Sequence, residues 1–255
     1  MAEFSAIEWT DSTWNPVTGC TKISPGCKFC YAERVTARWG RGKFTDVKLH
    51  LDRLGLPLKW RTRRRIFVNS MSDLFHEQVP FSFIDEVFDI MGRAPQHIFQ
   101  VLTKRADRMV AWSLSHGNKP IPGHIWLGVS VETPAYFSRI DRLREIEVPI
   151  RFVSAEPLLS SLSGINLSGI SWVITGGESG GPPERALVAQ TSRGWVPKPE
   201  ALIWVRELRN LCQSKGVAFF HKQWGGPTPR TGGRRLDRRL WDEFPTAPKI
   251  QPALI

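Results

Sequence analysis

Six times along this chain a short apolar run gives way to a polar tip and then to a stretch with helical character. The runs are Ile66–Val68, Ile98–Leu102, Ile125–Val129, Ile150–Val153, Trp172–Thr175 and Val217–Phe220. Apolar runs this short, bounded by polar residues, read as strands. Between them, Phe81–Arg93 carries Ile84, Val87, Phe88 and Met91 at helical spacing, and Thr133–Arg144 carries Phe137, Ile140 and Leu143. Pro199–Lys215 carries Leu202, Val205, Leu208, Leu211 and Cys212, with Gly216 placed to stop it. Strands that alternate with helices dictate parallel βαβ units, and six or more such units predict an α/β barrel or open sheet. At 255 residues the chain is long enough to bury one large core.

In either architecture the polar residues at the C-terminal ends of the strands line the site. Here these tips carry Asn69, Ser70, Ser72 and Asp73, then Lys104 and Arg105, then Ser130 and Glu132. Further along they carry Ser154 and Glu156, the triplet Gly176-Gly177-Glu178, and Lys222 with Trp224. Part of this set, Ser130 and Ser154 first, also suits helix capping. The Gly176-Gly177 pair fits either a tight turn or a close backbone approach to a ligand.

Three of the four cysteines, Cys20, Cys27 and Cys30, fall within eleven residues on a loop that includes Pro25 and Gly26. Three thiolates on one loop suit an iron–sulfur cluster with one iron left open, or a zinc site completed by a fourth ligand. Candidates for that fourth ligand are His50, His76 and Cys212, none at zinc-finger spacing. Cys212, on the apolar face of a predicted helix, reads as a core residue. Unligated thiols are the third possibility. Clustered cysteines make a poor disulfide framework, and the N-terminal residues lack the pattern of a signal peptide. No apolar run is long enough to span a bilayer. The expectation is a cytoplasmic protein without a membrane segment.

A net charge of +11 points to a polyanionic partner. The excess is patchy: Lys59, Arg61, Arg63, Arg64 and Arg65 form one run, and Arg230, Arg234, Arg235, Arg238 and Arg239 another. Trp14, Trp60, Trp195 and Trp224 lie in Gly- or Arg-rich contexts, where indoles stack on bases. The predicted nucleic-acid contacts are Arg61, Arg63, Arg64, Arg65, Lys222, Trp224, Arg234 and Arg235.

The spacing Cys20-x6-Cys27-x2-Cys30, with Phe29 before the last cysteine, resembles an expanded radical S-adenosylmethionine (SAM) signature. Ile7–Cys20 with Ser24-Pro-Gly-Cys27 closely resembles the phage-associated three-Cys-motif family. Ser154–Leu159, Trp172–Gly180 and Lys222–Gly225 extend the resemblance over nearly the whole chain. It implies a partial (β/α) barrel of radical SAM type, with mostly parallel strands and the cysteine loop after the first strand. It implies a [4Fe-4S] cluster held by Cys20, Cys27 and Cys30, and SAM chelated by the fourth iron. Phe29, Asn69, Ser70, Ser72, Asp73, Lys104, Ser130, Glu132, Glu156, Gly176, Gly177 and Glu178 are then the cofactor-binding candidates. In radical SAM enzymes a Gly-Gly-Glu motif often follows the second strand; here Gly176-Gly177-Glu178 follows the sixth predicted strand, so its amine-binding role is not carried over.

The implied activity is reductive cleavage of SAM to a 5′-deoxyadenosyl radical that acts on a nucleobase in DNA or RNA. It would be either a lesion-reversing lyase resembling spore photoproduct lyase or a base-modifying enzyme, fed by an electron donor such as flavodoxin or ferredoxin. Two alternatives stand: a non-catalytic nucleic-acid-binding protein with structural zinc, and a radical enzyme acting on a protein partner. No catalytic hydrogen donor is assigned among Tyr31, Tyr136 and Cys212. Residues 1–225 are expected to form the barrel. Residues 226–255, rich in Gly, Pro and Arg, form an extension, read as a lid over the barrel mouth anchored by Leu236, Leu240, Trp241 and Phe244.

Overall fold

The computed structural model describes residues 5–40, 42–192 and 194–246. Strand β1 (Ser12–Trp14) opens the chain and leads into a short ribbon of β2 (Val17–Thr18) with β3 (Lys48–Leu49). Between the ribbon strands lie the cysteine loop and helix α1 (Tyr31–Arg38). Two single-turn helices, α2 (Leu51–Leu54) and α3 (Leu56–Lys59), precede β4 (Arg65–Val68). There follow α4 (Phe81–Gly92), β5 (Ile98–Thr103), α5 (Ala106–Ser115), β6 (Ile125–Ser130) and α6 (Ser138–Arg144). Strands β7 (Arg151–Ala155) and β8 (Trp172–Gly176) come next, then the hairpin of β9 (Val188–Thr191) and β10 (Gly194–Pro197). Helix α7 (Pro199–Lys215) and strand β11 (Ala218–Gln223) complete the order.

Seven strands pair in the order β1-β4-β5-β6-β7-β8-β11, every pair parallel, as a partial barrel. The predicted fold class therefore holds. Each of the six apolar runs is a strand of this sheet, and α7 ends at Gly216, whose φ of 65° suits a residue without Cβ. One predicted helix is interrupted: 133–144 opens as a 3-10 turn, Pro134–Tyr136, before α6. Pro134 at the first position of that turn fixes its entry. Helix α5 escaped the sequence reading, although Ala106, Met109, Val110 and Ser113 bury one face of it.

Alternate strand residues face opposite sides of the sheet, and the two sides carry different cores. The outer side packs against the helices through Val68, Val101, Leu127, Val153 and Val173. The inner side is aromatic: Trp9, Phe67, Trp126, Phe152, Trp172 and Phe220 form one buried cluster. Trp172 lies at its centre, with ring centroids of Trp9, Trp126, Phe152 and Phe220 between 5.6 and 6.1 Å away. A Cβ on Gly128 would collide with the Phe152 ring, so glycine there makes room for it.

The stretch after Gly225 lies along the open edge of β11. His221 N donates to Trp241 O, Glu243 N to Phe219 O, and Trp172 Nε1 to Glu243 O. These bonds cover an edge strand that would otherwise present unpaired backbone. Leu236 and Trp241 are buried anchors, as expected, whereas Leu240 is exposed. Phe244 packs on Trp172 and under the Arg65 guanidinium, at the N-terminal end of the strands rather than across the mouth. The part of the extension from 247 onward lies outside the described residues.

Candidate functional site

A cavity of about 750 Å³ opens at the C-terminal ends of the sheet strands, and Cys20, Cys27 and Cys30 all line it. All three thiols are free and half-buried. The loop that carries them is short and tightly wound. A 3-10 turn, Pro25–Cys27, closes through Cys27 N to Ser24 O at 2.9 Å. Cys30 then serves as the N-cap of α1.

Four strands of the sheet each send a group to hold this loop. From the β4 end, Met71 O accepts from Gly19 N, and Ser70 O accepts from the Tyr31 hydroxyl. From the β5 end comes Arg105, whose guanidinium is fully engaged. Its Nη2 donates to Thr21 O and Oγ1, its Nη1 to Asp73 and to Cys20 Sγ at 3.5 Å, and its Nε to both Glu77 oxygens. Beyond β6, fully buried Glu132 accepts from the Ser24 hydroxyl and pairs with Arg139 at 2.9 Å. A Cβ on Gly26 would collide with the same carboxylate. Beyond β8, Glu178 is gripped through two hydrogen bonds by Arg185, which also donates to Pro25 O, and Ser179 O accepts from Arg34.

These contacts revise the roles read from sequence. Asp73 accepts from Phe75 N, Thr103 Oγ1, Lys104 N and Arg105, so its oxygens are occupied in binding β4 to β5. Glu132 lies behind the loop, not on the cavity wall, and Glu178 is spent on Arg185. Arg105, one of the polar tip residues, is the loop's clamp. Gly177 is needed because a Cβ would strike the Trp224 carbonyl, and Gly176 because one would strike the Glu156 carboxylate. Both glycines serve close packing.

Other predicted residues line the cavity with capacity left over. Asn69 is buried at φ 60°, and its Oδ1 accepts from Val17 N while its Nδ2 has no partner. Ser70, Ser130 and half-buried Phe29 lie on the wall, as does Ser72, whose hydroxyl donates to Val17 O. Lys104 approaches Glu132 at 3.8 Å, and Glu156 pairs with Lys222 at 3.3 Å. Trp9, which the sequence reading passed over, is the tryptophan that lines the cavity among the described residues.

The predicted nucleic-acid contacts do not assemble there. Arg61, Arg63 and Arg64 precede β4 and Arg65 begins it, so all four lie at the opposite end of the parallel strands. Arg65 is held by Asp11, and Arg64 stacks over Trp60. Trp224 is buried with its indole donating to Arg235 O, and Trp14 is buried with its indole donating to Arg53 O. Trp60 and Trp195 pack against the outer core. Arg234 is tied to Lys222 O and Asp242, and Arg235 donates to Arg238 O. Of that set, Lys222 alone lines the cavity.

Burial pushes the Cys20 thiol up to about 11, Asp73 adds to the shift, and the Arg105 charge opposes it. His76 is lowered, chiefly by burial and then by Arg105. None of the candidate fourth ligands lines the cavity. His76 Nε2 meets Thr21 Oγ1 at 2.8 Å while its Nδ1 accepts from Gln78 N, and His50 Nε2 meets Thr18 Oγ1 at 2.8 Å. Cys212 is fully buried in α7, its thiol raised by burial to about 12.

Among the described residues no three His, Cys, Asp or Glu side chains gather tightly enough for a single metal ion. A cluster makes a different demand, since it spreads three thiolates over three irons. Three loop thiols on one cavity wall, no fourth protein ligand and an unpartnered buried amide beside them fit a cluster with an open iron and a polar ligand. The cavity volume lies in the range of small-molecule and cofactor sites.

Among solved structures, the chain resembles spore photoproduct lyase complexed with dinucleoside spore photoproduct. The TM-score is 0.50 at 11% identity, over 81% of this chain and 74% of that one. A variant of that lyase with bound AdoMet and dinucleoside spore photoproduct gives 0.52 at 11% identity, over 83% and 76%. At such identity the likeness establishes a shared partial-barrel fold. No curated protein matches the sequence. A family model does match, over residues 4–245: the chain belongs to the family described as a protein of unknown function, DUF5131.

Proposed function

We propose that this protein is a radical SAM enzyme acting on a nucleobase in DNA or RNA. The observation that carries the reading is the placement of three free thiols on one wall of a large cavity, at the C-terminal mouth of an all-parallel partial barrel. The resemblance to the phage-associated three-Cys-motif family and the fold shared with spore photoproduct lyase support it. Cys20, Cys27 and Cys30 would hold a [4Fe-4S] cluster, and the group supplies one-electron cleavage of SAM when bound.

The chain's own residues do the rest. Arg105, Glu132 and Arg185 fix the loop that presents the thiols. Asn69 Nδ2 offers a hydrogen bond to a polar ligand, and Lys104 and Lys222 offer cationic charge to a carboxylate or phosphate. The aromatic floor of Trp9 and Phe67 keeps water from the base of the cavity. A neighbour that carries a dinucleoside photoproduct favours a nucleobase substrate, and +11 net charge suits its polyanionic carrier.

The test is anaerobic preparation with iron, sulfide and zinc analysis, followed by incubation with reductant and SAM. About four irons per chain and release of 5′-deoxyadenosine are expected. A colourless protein with one zinc and no SAM cleavage would overturn the reading in favour of a structural metal.

A further inference from the structure

The charge that would guide a polynucleotide into the cavity is missing from the arginine runs singled out in the sequence, but α1 carries it. This helix follows directly on Cys30. Its residues Tyr31, Arg34, Val35 and Arg38 recur at helical spacing on one face, and all four line the cavity. The helix gives only Ala32 to the core. Tyr31 is 47% exposed, Val35 37% and Trp39, just beyond, 66%. Arg34 spends one nitrogen on Ser179 O, and Arg38 is exposed, with no hydrogen bond or ion pair among the described residues. Exposed Lys28 adds cationic charge beside this face, while Lys22 on the cavity wall is paired with Glu33 of α1 at 2.8 Å. Guanidinium groups interleaved with aromatic rings are what a single nucleic-acid strand requires, phosphates against the cations and unstacked bases against the rings.

We infer that the exposed face of α1 is the docking surface for a single strand of DNA, whose target base is extruded into the cavity beside the thiols. The occupant rests on the nucleobase reading given above. A base inside a duplex cannot reach the wall of a cavity, so an unpaired or flipped nucleotide is needed. The helix that ends the cysteine loop then reads the strand, and substrate binding and cysteine positioning share one element. The Arg61–Arg65 run lies at the other end of the strands and takes no part.

The full chain, prepared anaerobically, is titrated against a fluorescein-labelled DNA strand of about 20 nucleotides at 50 and 200 mM salt, with anisotropy as the readout. Arg38→Glu is expected to weaken binding about tenfold or more and to lower the salt slope by about 1, as loss of a phosphate contact does. Arg38→Lys should keep binding within about threefold, because the point charge remains. The pair Arg61→Glu with Arg63→Glu should change affinity less than about threefold if those arginines lie off the path. Unchanged circular dichroism and iron content in each variant separate docking from folding.

The inference is overturned if the Arg61/Arg63 pair costs more than Arg38→Glu. It is also overturned if RNA, duplex DNA or an acidic protein is preferred, or if no strand binds. Its failure is separable from failure of the enzymatic reading. SAM cleavage without DNA binding removes only the docking surface, and DNA binding lost on Arg38→Glu in a protein without iron leaves the surface and removes the enzyme.

Discussion

The two ends of the barrel interior are built from the same strands, yet they follow opposite rules. At the N-terminal end the inward positions are Trp126, Phe152, Trp172 and Phe220, closed from below by Phe244. At the C-terminal end, the inward positions further along the same strands are Ser130, Ser154 and Lys222, and the loops above them carry the charges. One end is a packed floor and the other is a wall held open by ion pairs. The difference teaches that most polar groups at the mouth act on the protein itself. Arg105, Asp73, Glu132, Glu178 and Arg185 brace the cysteine loop, which leaves Asn69, Lys104, Lys222 and the α1 face for a ligand.

Substitutions at the two ends should therefore fail in different ways. Trp172→Ala at the floor is expected to cost about 3–5 kcal/mol in urea unfolding, since a fully buried indole among five aromatic rings is removed. Cys27→Ala at the mouth should instead abolish iron retention while shifting stability by roughly 1 kcal/mol or less, because the thiol is half-buried and its one hydrogen bond among the described residues is with Ser24 Oγ at 3.6 Å. Equal losses of stability for the two would erase the distinction between floor and wall.

Arg105→Met tests the brace. It leaves the Asp73 carboxylate without its buried cation and frees Thr21 and Cys20, so a loss of roughly 3 kcal/mol is expected. The readout specific to the brace is proteolytic cleavage within the cysteine loop of the iron-free protein, which should accelerate. Arg105→Lys should restore part of the stability and less of the protection, as a point charge replaces a five-donor fork. Unchanged cleavage in both variants would show that the loop stands without its clamp.

The last effect is read per pH unit rather than per substitution and concerns His221, on the outer side of β11. Burial, and then the nearby Arg234 charge, lowers it from 6.5 to about 3. Its Nδ1 meets Thr175 Oγ1 at 2.9 Å and its Nε2 has no partner. Between those values the unfolded chain binds the extra proton, so stability is complete above pH 6.5 and falls as pH drops toward 3. The expected slope is about 1.4 kcal/mol per pH unit, and His221→Gln should flatten it in the same urea titrations. A wild-type slope that survives the substitution would assign the acid sensitivity elsewhere.

Much of the frame was legible because its signals are local. A buried strand needs a short apolar run, so all six runs were found, and β1, three residues long, was placed only through family resemblance. Helix α7 showed its period and its glycine stop. Helix α5 hid because Asp107 and Arg108 interrupt an apolar stripe that is visible once Ala106, Met109, Val110 and Ser113 are aligned. The cysteine cluster was legible for the same reason, since three ligands from one loop are a matter of spacing along the chain.

The roles of the charged tips were not legible. Arg105 lies 85 residues from Cys20 and 32 from Asp73, and Glu132 lies 108 from Ser24. Whether a carboxylate braces a loop or faces a ligand depends on which cations surround it, and no residue type or spacing carries that information. The same holds for the glycine pair, whose purpose is to let the Trp224 backbone and the Glu156 side chain approach.

By itself, then, the amino-acid order determined the alternation of strand and helix, the parallel sheet and the thiol trio, because periodicity and spacing act between near neighbours. Only the tertiary structure decided which end of the barrel each arginine occupies and which polar groups remain unspent. Coulombic pairing and close packing join residues that the chain keeps far apart, and parallel strands send their two ends to opposite faces of the molecule.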